Sequence, residues 1–263
     1  MKFDVLGKKS NPAILLIHGM FCNGDSVKNF AKYLQDEYYI IIPTMDGHYE
    51  GSGDYLSKEY EAKEMLHYLH EMGVQKLELL QGTSMGAEVA LEFARISDIP
   101  IAHYFYDGGP FFDFPVWFKA IMRKKFQGFK KICQGKSGEE AFEELMKNGF
   151  IRWLVGKDQE SYRGMMGDFA DVCNIVSDAT ICNVVETCYA CKLPDFEEDI
   201  QKKFIFFFSE KEPAHMSKKR LIKKYKSAEF QAIPDMGHGG FQTGQPQQYA
   251  EYLKKVMNHE FSE

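Results

Sequence analysis

Apolar residues along this chain follow two alternating rhythms: short continuous runs, and stretches where they return every three or four positions. "AILLIHG" at 13–19 and "YYIIIPT" at 38–44 belong to the first kind and predict strands, the second passing into a glycine-rich loop. Between them "GDSVKNFAKYLQDE" at 24–37 has helical spacing, which recurs in "SKEYEAKEMLHYLHEM" at 57–72 and over 84–97. "KLELLQG" at 76–82, "IAHYFYDGG" at 101–109, the Phe204 to Phe208 run and "AEFQAIPD" at 228–235 supply further strands, and a last helix is expected near 245–259. Such alternation predicts an α/β fold with a mostly parallel central sheet flanked by helices.

The pattern breaks from Phe111 to about Asp195, where aromatic and charged helical stretches such as "IRWLVG" and "FADVCNIVSDATICNVVETCYAC" replace the central strands. Residues 111–195 are therefore expected to form a mostly helical cap inserted in a core built from 1–110 and 196–263. No repeat or low-complexity tract interrupts this organisation.

Composition adds mainly exclusions. With 44% hydrophobic and 27% charged residues the chain should fold as a soluble globular protein. A formal charge of -6 gives no general reason to bind nucleic acid, and the short runs Arg123-Lys124-Lys125 and Lys218-Lys219-Arg220 are expected on solvated faces. No signal-like or membrane-length apolar segment stands out, so no membrane insertion and a cytoplasmic location are expected, as a monomer or homodimer. The six cysteines then read as reduced thiols. Cys188 and Cys191 have C-x-x-C spacing without a second such pair, and "GKSG" at 135–138 is only a fragment of a phosphate loop, so neither a metal nor a cofactor is expected.

The candidate chemistry begins in "LELLQGTSMGAEVALEF" at 77–93, where Ser84 stands between Gly82 and Gly86 at a strand-to-helix junction. Serine there has two readings, a helix cap or a nucleophile lifted out of the sheet on a sharp turn beside a helix N-terminus. A nucleophilic hydroxyl needs a base, and His238 in the glycine-containing loop after the last strand fits that role. His67 and His70 sit inside a helix without H-E-x-x-H spacing. His18 is expected to shape the loop after its strand and His48 to line the entrance; His103, His215 and His259 read as packing, capping or surface residues. The base in turn needs an acid to fix its tautomer. Glu212, after the Phe204 to Phe208 strand, is the first choice; Asp107 and Glu210 are alternatives, and Asp235 belongs to the histidine loop.

Taken together, "LLIHG", "GTSMG", the loop carrying Glu212 and "GHGG" around His238 resemble the α/β-hydrolase superfamily, in particular its lid-bearing serine hydrolases, over nearly the whole chain. The resemblance implies Ser84 as nucleophile, Glu212 as acid and His238 as base. It also implies the backbone N–H groups of Met20 and Met85 as oxyanion donors, with both methionine side chains forming apolar pocket wall. Glutamate at the acid position and Ser209 in its loop depart from the commoner aspartate and glycine. The implied reaction is hydrolysis of a carboxylic ester of small to medium size with an apolar part, without a cofactor. Acyl transfer, cleavage of a thioester, amide or carbon–carbon bond, and binding without turnover remain alternatives. Phe111, Phe112 and Trp117 in "GGPFFDFPVWF" are candidate pocket residues, with anchoring of the cap as their other reading.

Overall fold

The computed structural model describes residues 1–149, 151–152, 159, 162–163, 166–258 and 260. His259 and residues 153–156 of "IRWLVG" lie outside them. Seven strands form one sheet: β1 (Lys2–Leu6), β2 (Ala13–Ile17), β3 (Tyr39–Thr44), β4 (Leu77–Thr83), β5 (Ile101–Asp107), β6 (Phe204–Ser209) and β7 (Glu229–Ile233). Their order is β1-β3-β2-β4-β5-β6-β7, with every neighbouring pair parallel except β1 and β3.

Successive residues of β2 face opposite sides of the sheet, and both sides are dry. Leu15 and Ile17 pack with Leu80, Tyr106 and Phe206 on one face. Ile14 and Leu16 pack with Leu79, Phe105 and Phe207 on the other. Burial on both faces is why β2, β3 and β6 read as continuous apolar runs rather than as alternation. Each fully buried side chain of this size is worth about 1.5–3 kcal/mol relative to exposure. The edge strand β1 is only partly covered, which is why "KFDVL" gave no such run.

Helices α1 (Gly24–Ala31), α2 (Lys58–Glu71) and α3 (Met85–Ile96) connect the first strands. Helix α1 is shorter than its spacing suggests. Beyond Ala31 the chain makes tight turns, with Leu34 N–H on Ala31 O at 2.9 Å and Glu37 N–H on Leu34 O at 3.1 Å. These turns keep Leu34 buried while redirecting the chain into β3.

Between β5 and β6 run α4 (Val116–Cys133), α5 (Gly138–Met146), α6 (Met166–Ile175) and α7 (Asp178–Tyr189). They hold an apolar cluster of their own, including Met122, Phe126, Phe142 and Val172, into which Phe21 projects from the sheet side. The short α8 (Glu198–Gln201) precedes β6; α9 (Lys218–Lys224), α10 (Gly240–Gly244) and α11 (Pro246–Met257) complete the chain. Among the described residues no helix is long and apolar enough to cross a membrane.

The chain fills the β3 side of β2 first and then crosses to place β4 on its other side. In open parallel sheets such a switch point leaves a crevice at the carboxyl ends of the strands, where ligands bind. Ser84 immediately follows β4, and Gly19 closely follows β2.

Candidate active site

At the end of β4 the chain reverses into α3 through Ser84, whose φ of 55° and ψ of −123° are strained for a residue with a side chain. The turn is held by Ser84 N–H donating to Asp107 O at 2.7 Å. It also requires its glycines. A Cβ on Gly82 would stand 2.2 Å from Gly86 O, and one on Gly86 would stand 2.4 Å from His18 O. Ser84 makes no side-chain hydrogen bond to the helix it precedes, which removes the capping reading.

The hydroxyl engages His238 instead. Ser84 Oγ is 2.9 Å from His238 Nε2, and His238 Nδ1 is 2.5 Å from Glu212 Oε2. The far carboxylate oxygen, Glu212 Oε1, accepts Ser209 N–H at 2.7 Å, and Tyr162 donates its hydroxyl to His238 O at 2.8 Å. Glu212 is 4% exposed, so its charge acts on the imidazole with little screening. Burial pulls the His238 pKa down; the hydrogen bond and charge of Glu212, with the charge of Asp107, outweigh it and leave the pKa above the ordinary histidine value. With Nδ1–H directed at Glu212, Nε2 is free to accept the serine proton.

Among the alternative acids, Glu210 is exposed, and Asp235 is exposed and paired with Lys211. Asp107 is buried behind the turn, where its Oδ2 accepts the Tyr249 hydroxyl at 2.8 Å. Burial first, then the charge of Glu212, pushes its pKa up to about 7. Tyr249 also accepts from Gln81 Nε2 at 3.2 Å, and Thr83 donates to Gln242 Oε1 at 3.1 Å. The turn therefore rests on a buried polar network that no motif announces.

Helix N-terminal amides have no partner within their own helix, and the Met85 N–H opens α3 directly after Ser84. Met20 follows Gly19, whose Cβ position would be 3.1 Å from Ser84 Cβ. The two methionine side chains part company. Met20 lines the adjoining cavity, whereas Met85 is fully buried in the core beneath α3, so the expected apolar wall from Met85 is corrected.

That cavity has a volume of about 470 Å³ and runs from Ser84, His238 and Gly19 into the α4–α7 helices, where Phe118, Met122, Phe126 and Phe169 line it. Of the aromatic pocket candidates, Phe112 lines it and the other two do not. Phe111 is fully buried against Tyr106 and Phe206, and Trp117 is 65% exposed on α4. Helical geometry turns Trp117 outward because Met122, Phe126 and Phe129 define the buried face.

His18 also lines the cavity; its Nε2 accepts Met45 N–H at 3.0 Å, and burial lowers its pKa to about 3. His48 is buried edge-on to His18 rather than standing at the entrance. His67 and His70 are exposed on α2, His103 is buried in β5, and His215 lies in a short turn of 3₁₀ helix.

Sequence reasoning also missed Arg220, whose run was expected on a solvated face. Its guanidinium donates to Phe111 O at 2.6 Å and to Cys191 O at 2.7 Å, tying together the two segments where the chain leaves and re-enters the sheet layer. Cys191 N–H donates to Phe112 O at 2.7 Å in the same crossing. Nearby, Cys188 and Cys191 are buried free thiols, and Lys58 Nζ is 3.8 Å from the buried Glu88. Among the described residues no group of three or more His, Cys, Asp or Glu is placed to hold a metal ion.

No family model matches the chain. Nor does any curated protein match it. Solved structures do. A Desulfitobacterium hafniense protein assigned to the α/β-hydrolase family has TM-score 0.76 at 17% identity, covering 98% of this chain and 100% of its own. A thermophilic esterase from Thermogutta terrifontis has TM-score 0.65 at 20% identity over 97% of this chain and 93% of its own. A bromoperoxidase from Bacillus anthracis has TM-score 0.71 at 16% identity over 97% and 94%. Different activities thus share one arrangement of strands and helices, and that arrangement is the one seen here: the chain has the α/β-hydrolase fold.

Proposed function

We propose that the protein is a serine hydrolase that cleaves a carboxylic ester through an acyl-Ser84 intermediate. The observation that carries this reading is the hydrogen-bonded line from Ser84 Oγ through His238 to Glu212, at 2.9 and 2.5 Å, with Ser84 left uncommitted to its helix.

In this reading His238 Nε2 takes the Ser84 proton as Oγ attacks the ester carbonyl carbon. The Met20 and Met85 N–H groups and the positive end of α3 stabilise the tetrahedral oxyanion. The imidazolium, stabilised by Glu212, then gives its proton to the departing alkoxide, leaving acyl-Ser84 and an alcohol. Water deprotonated by His238 attacks the acyl carbon, Ser84 regains its proton, and a carboxylic acid leaves.

The apolar part of the substrate occupies the cavity, and residues 111–195 serve as the cap that covers it and excludes water. An esterase among the structural neighbours supports this choice of reaction. Six free thiols support a reducing compartment, the cytoplasm.

The test is the intact mass after exposure to an alkyl fluorophosphonate, followed by a panel of esters of increasing acyl length. One adduct is expected on the parent protein and none on Ser84→Ala. A folded parent that stays unlabelled, or an adduct that persists in the variant, overturns the reading.

A further inference from the structure

The outward face of α4 carries a pattern that neither the proposed reaction nor the core explains. Its buried side is Met122, Phe126, Phe129 and Cys133. On the opposite side, at successive spacings of four, three and seven, stand Trp117, Ile121, Lys124 and Lys131. Val116, Trp117 and Ile121 are 72%, 65% and 46% exposed, an unusual amount of large apolar surface for one helix end. Ile121 also lines the cavity, as does Met216, which is 67% exposed. Exposed apolar surface is thus continuous with the cavity that begins at Ser84.

Charge selects what such a face fits. Helix α4 contains Lys119, Arg123, Lys124, Lys125, Lys130 and Lys131 and no acidic residue, in a chain whose net charge is -6. Lys119 and Arg123 are committed to Glu186, and Lys130 to Asp178. Lys124 and Lys131 remain exposed on the same face as Trp117. A tryptophan with flanking aliphatic side chains at one end of a helix and lysines along its outer face is the chemistry of a segment lying in a lipid interface. A protein partner would need acidic and apolar groups in matching register; an anionic lipid surface supplies both without register.

We infer that the outer face of α4 docks the protein on an anionic lipid surface, with the cavity end at Ile121 turned toward the lipid. This is peripheral adsorption, distinct from a membrane span. It goes beyond the hydrolase reading and does not need Ser84 to react.

The experiment is vesicle co-sedimentation of the full chain with phosphatidylcholine alone and with roughly one-third phosphatidylglycerol added. Binding is expected to the mixed vesicles, at least about fivefold weaker to phosphatidylcholine alone, and reduced by added salt. Trp117→Ser with Lys124→Glu is expected to weaken binding by at least about tenfold. Its far-ultraviolet circular dichroism and its turnover of a short, water-soluble ester should match the parent. Ser84→Ala should bind vesicles like the parent, so loss of the hydrolase reading and loss of lipid docking give different results. The inference is overturned if the folded parent binds neither vesicle, or if the double variant binds as well as the parent. It is also overturned if light scattering shows a dimer that the double variant converts to monomer, because the face would then be covered by a second copy.

Discussion

Tyr249 donates its hydroxyl to Asp107 Oδ2 at 2.8 Å, and the backbone carbonyl of Asp107 accepts the Ser84 N–H at 2.7 Å. One residue thus joins the last helix, β5 and the strained turn. Its carboxyl, held up near 7 by burial and by the Glu212 charge, retains its proton in the folded state over pH values at which the unfolded chain has lost it. Folding binds the extra proton between the ordinary aspartate value and about 7, so the contribution is greatest at low pH and is lost as pH rises through that window. Asp107→Asn should flatten that part of the pH dependence of Tm. An unchanged slope between parent and variant sinks this account.

The acid can be assigned by separate substitutions. Glu212→Gln should lower kcat/KM by roughly 10²–10⁴-fold, since it removes the charge that stabilises the His238 imidazolium. Asp107→Asn should cost much less, and Glu210→Gln nothing measurable, because Glu210 is exposed and Asp107 is engaged by Tyr249. A larger loss from Asp107→Asn than from Glu212→Gln on proteins with matched unfolding would reverse the assignment.

As the proposed base, His238 must be neutral to accept a proton, so kcat/KM should rise with pH as the imidazolium loses its own. The midpoint should lie above the ordinary histidine value of 6.5, because Glu212 and Asp107 favour the charged form by more than burial opposes it. In Glu212→Gln the midpoint should fall. A parent midpoint at or below 6.5, measured on ester turnover, counts against this electrostatic picture.

These expectations divide between features that were legible in the sequence and features that were not. β2, β3 and β6 were legible because burial on both faces leaves continuous apolar runs, and the Ser84 turn because it leaves no room for a Cβ at Gly82 or Gly86; His238 stood out by its glycine-containing loop after the last strand. Glu212 was readable only as the first of several acids, since which carboxylate reaches Nδ1 depends on the fold of one short loop. Arg220 and Tyr249 act on groups far away in the chain, 109 and 142 residues from Phe111 and Asp107, and local patterns are blind to such pairs. Trp117 misled for a different reason: aromatic composition does not say which face of α4 turns inward.

Arg220 offers a test of how the helices between β5 and β6 are attached. Its two charge-assisted bonds hold Phe111 O and Cys191 O, one in each crossing segment. Arg220→Met keeps much of the stem but removes both bonds, and should cost about 1–3 kcal/mol given that the group is only half-buried. A chain of this size would show that as a fall in Tm of roughly 2–10 °C. Amide exchange at Cys191 and Phe114 should quicken while strand β4 stays protected. Unchanged exchange at the crossing would mean that the backbone bonds there suffice.

Gly108 provides a local probe of the Glu212–His238 contact. Its φ is +61°, and a Cβ there would stand 2.8 Å from Glu212 Oε2 and 3.2 Å from His238 Cε1. Gly108→Ala therefore combines backbone strain with a direct push on the atom that accepts from His238. Gly51 has a comparable φ of +81° but no atom within 4 Å of its Cβ position, so Gly51→Ala isolates the strain. Gly51→Ala should cost on the order of 1 kcal/mol of stability and leave turnover intact. Gly108→Ala should lose at least about tenfold in kcat, because a displaced carboxylate no longer orients the imidazole. Equal turnover in the two variants would mean that Glu212 can move aside without cost, and that its contact with His238 is not the constraint on the reaction.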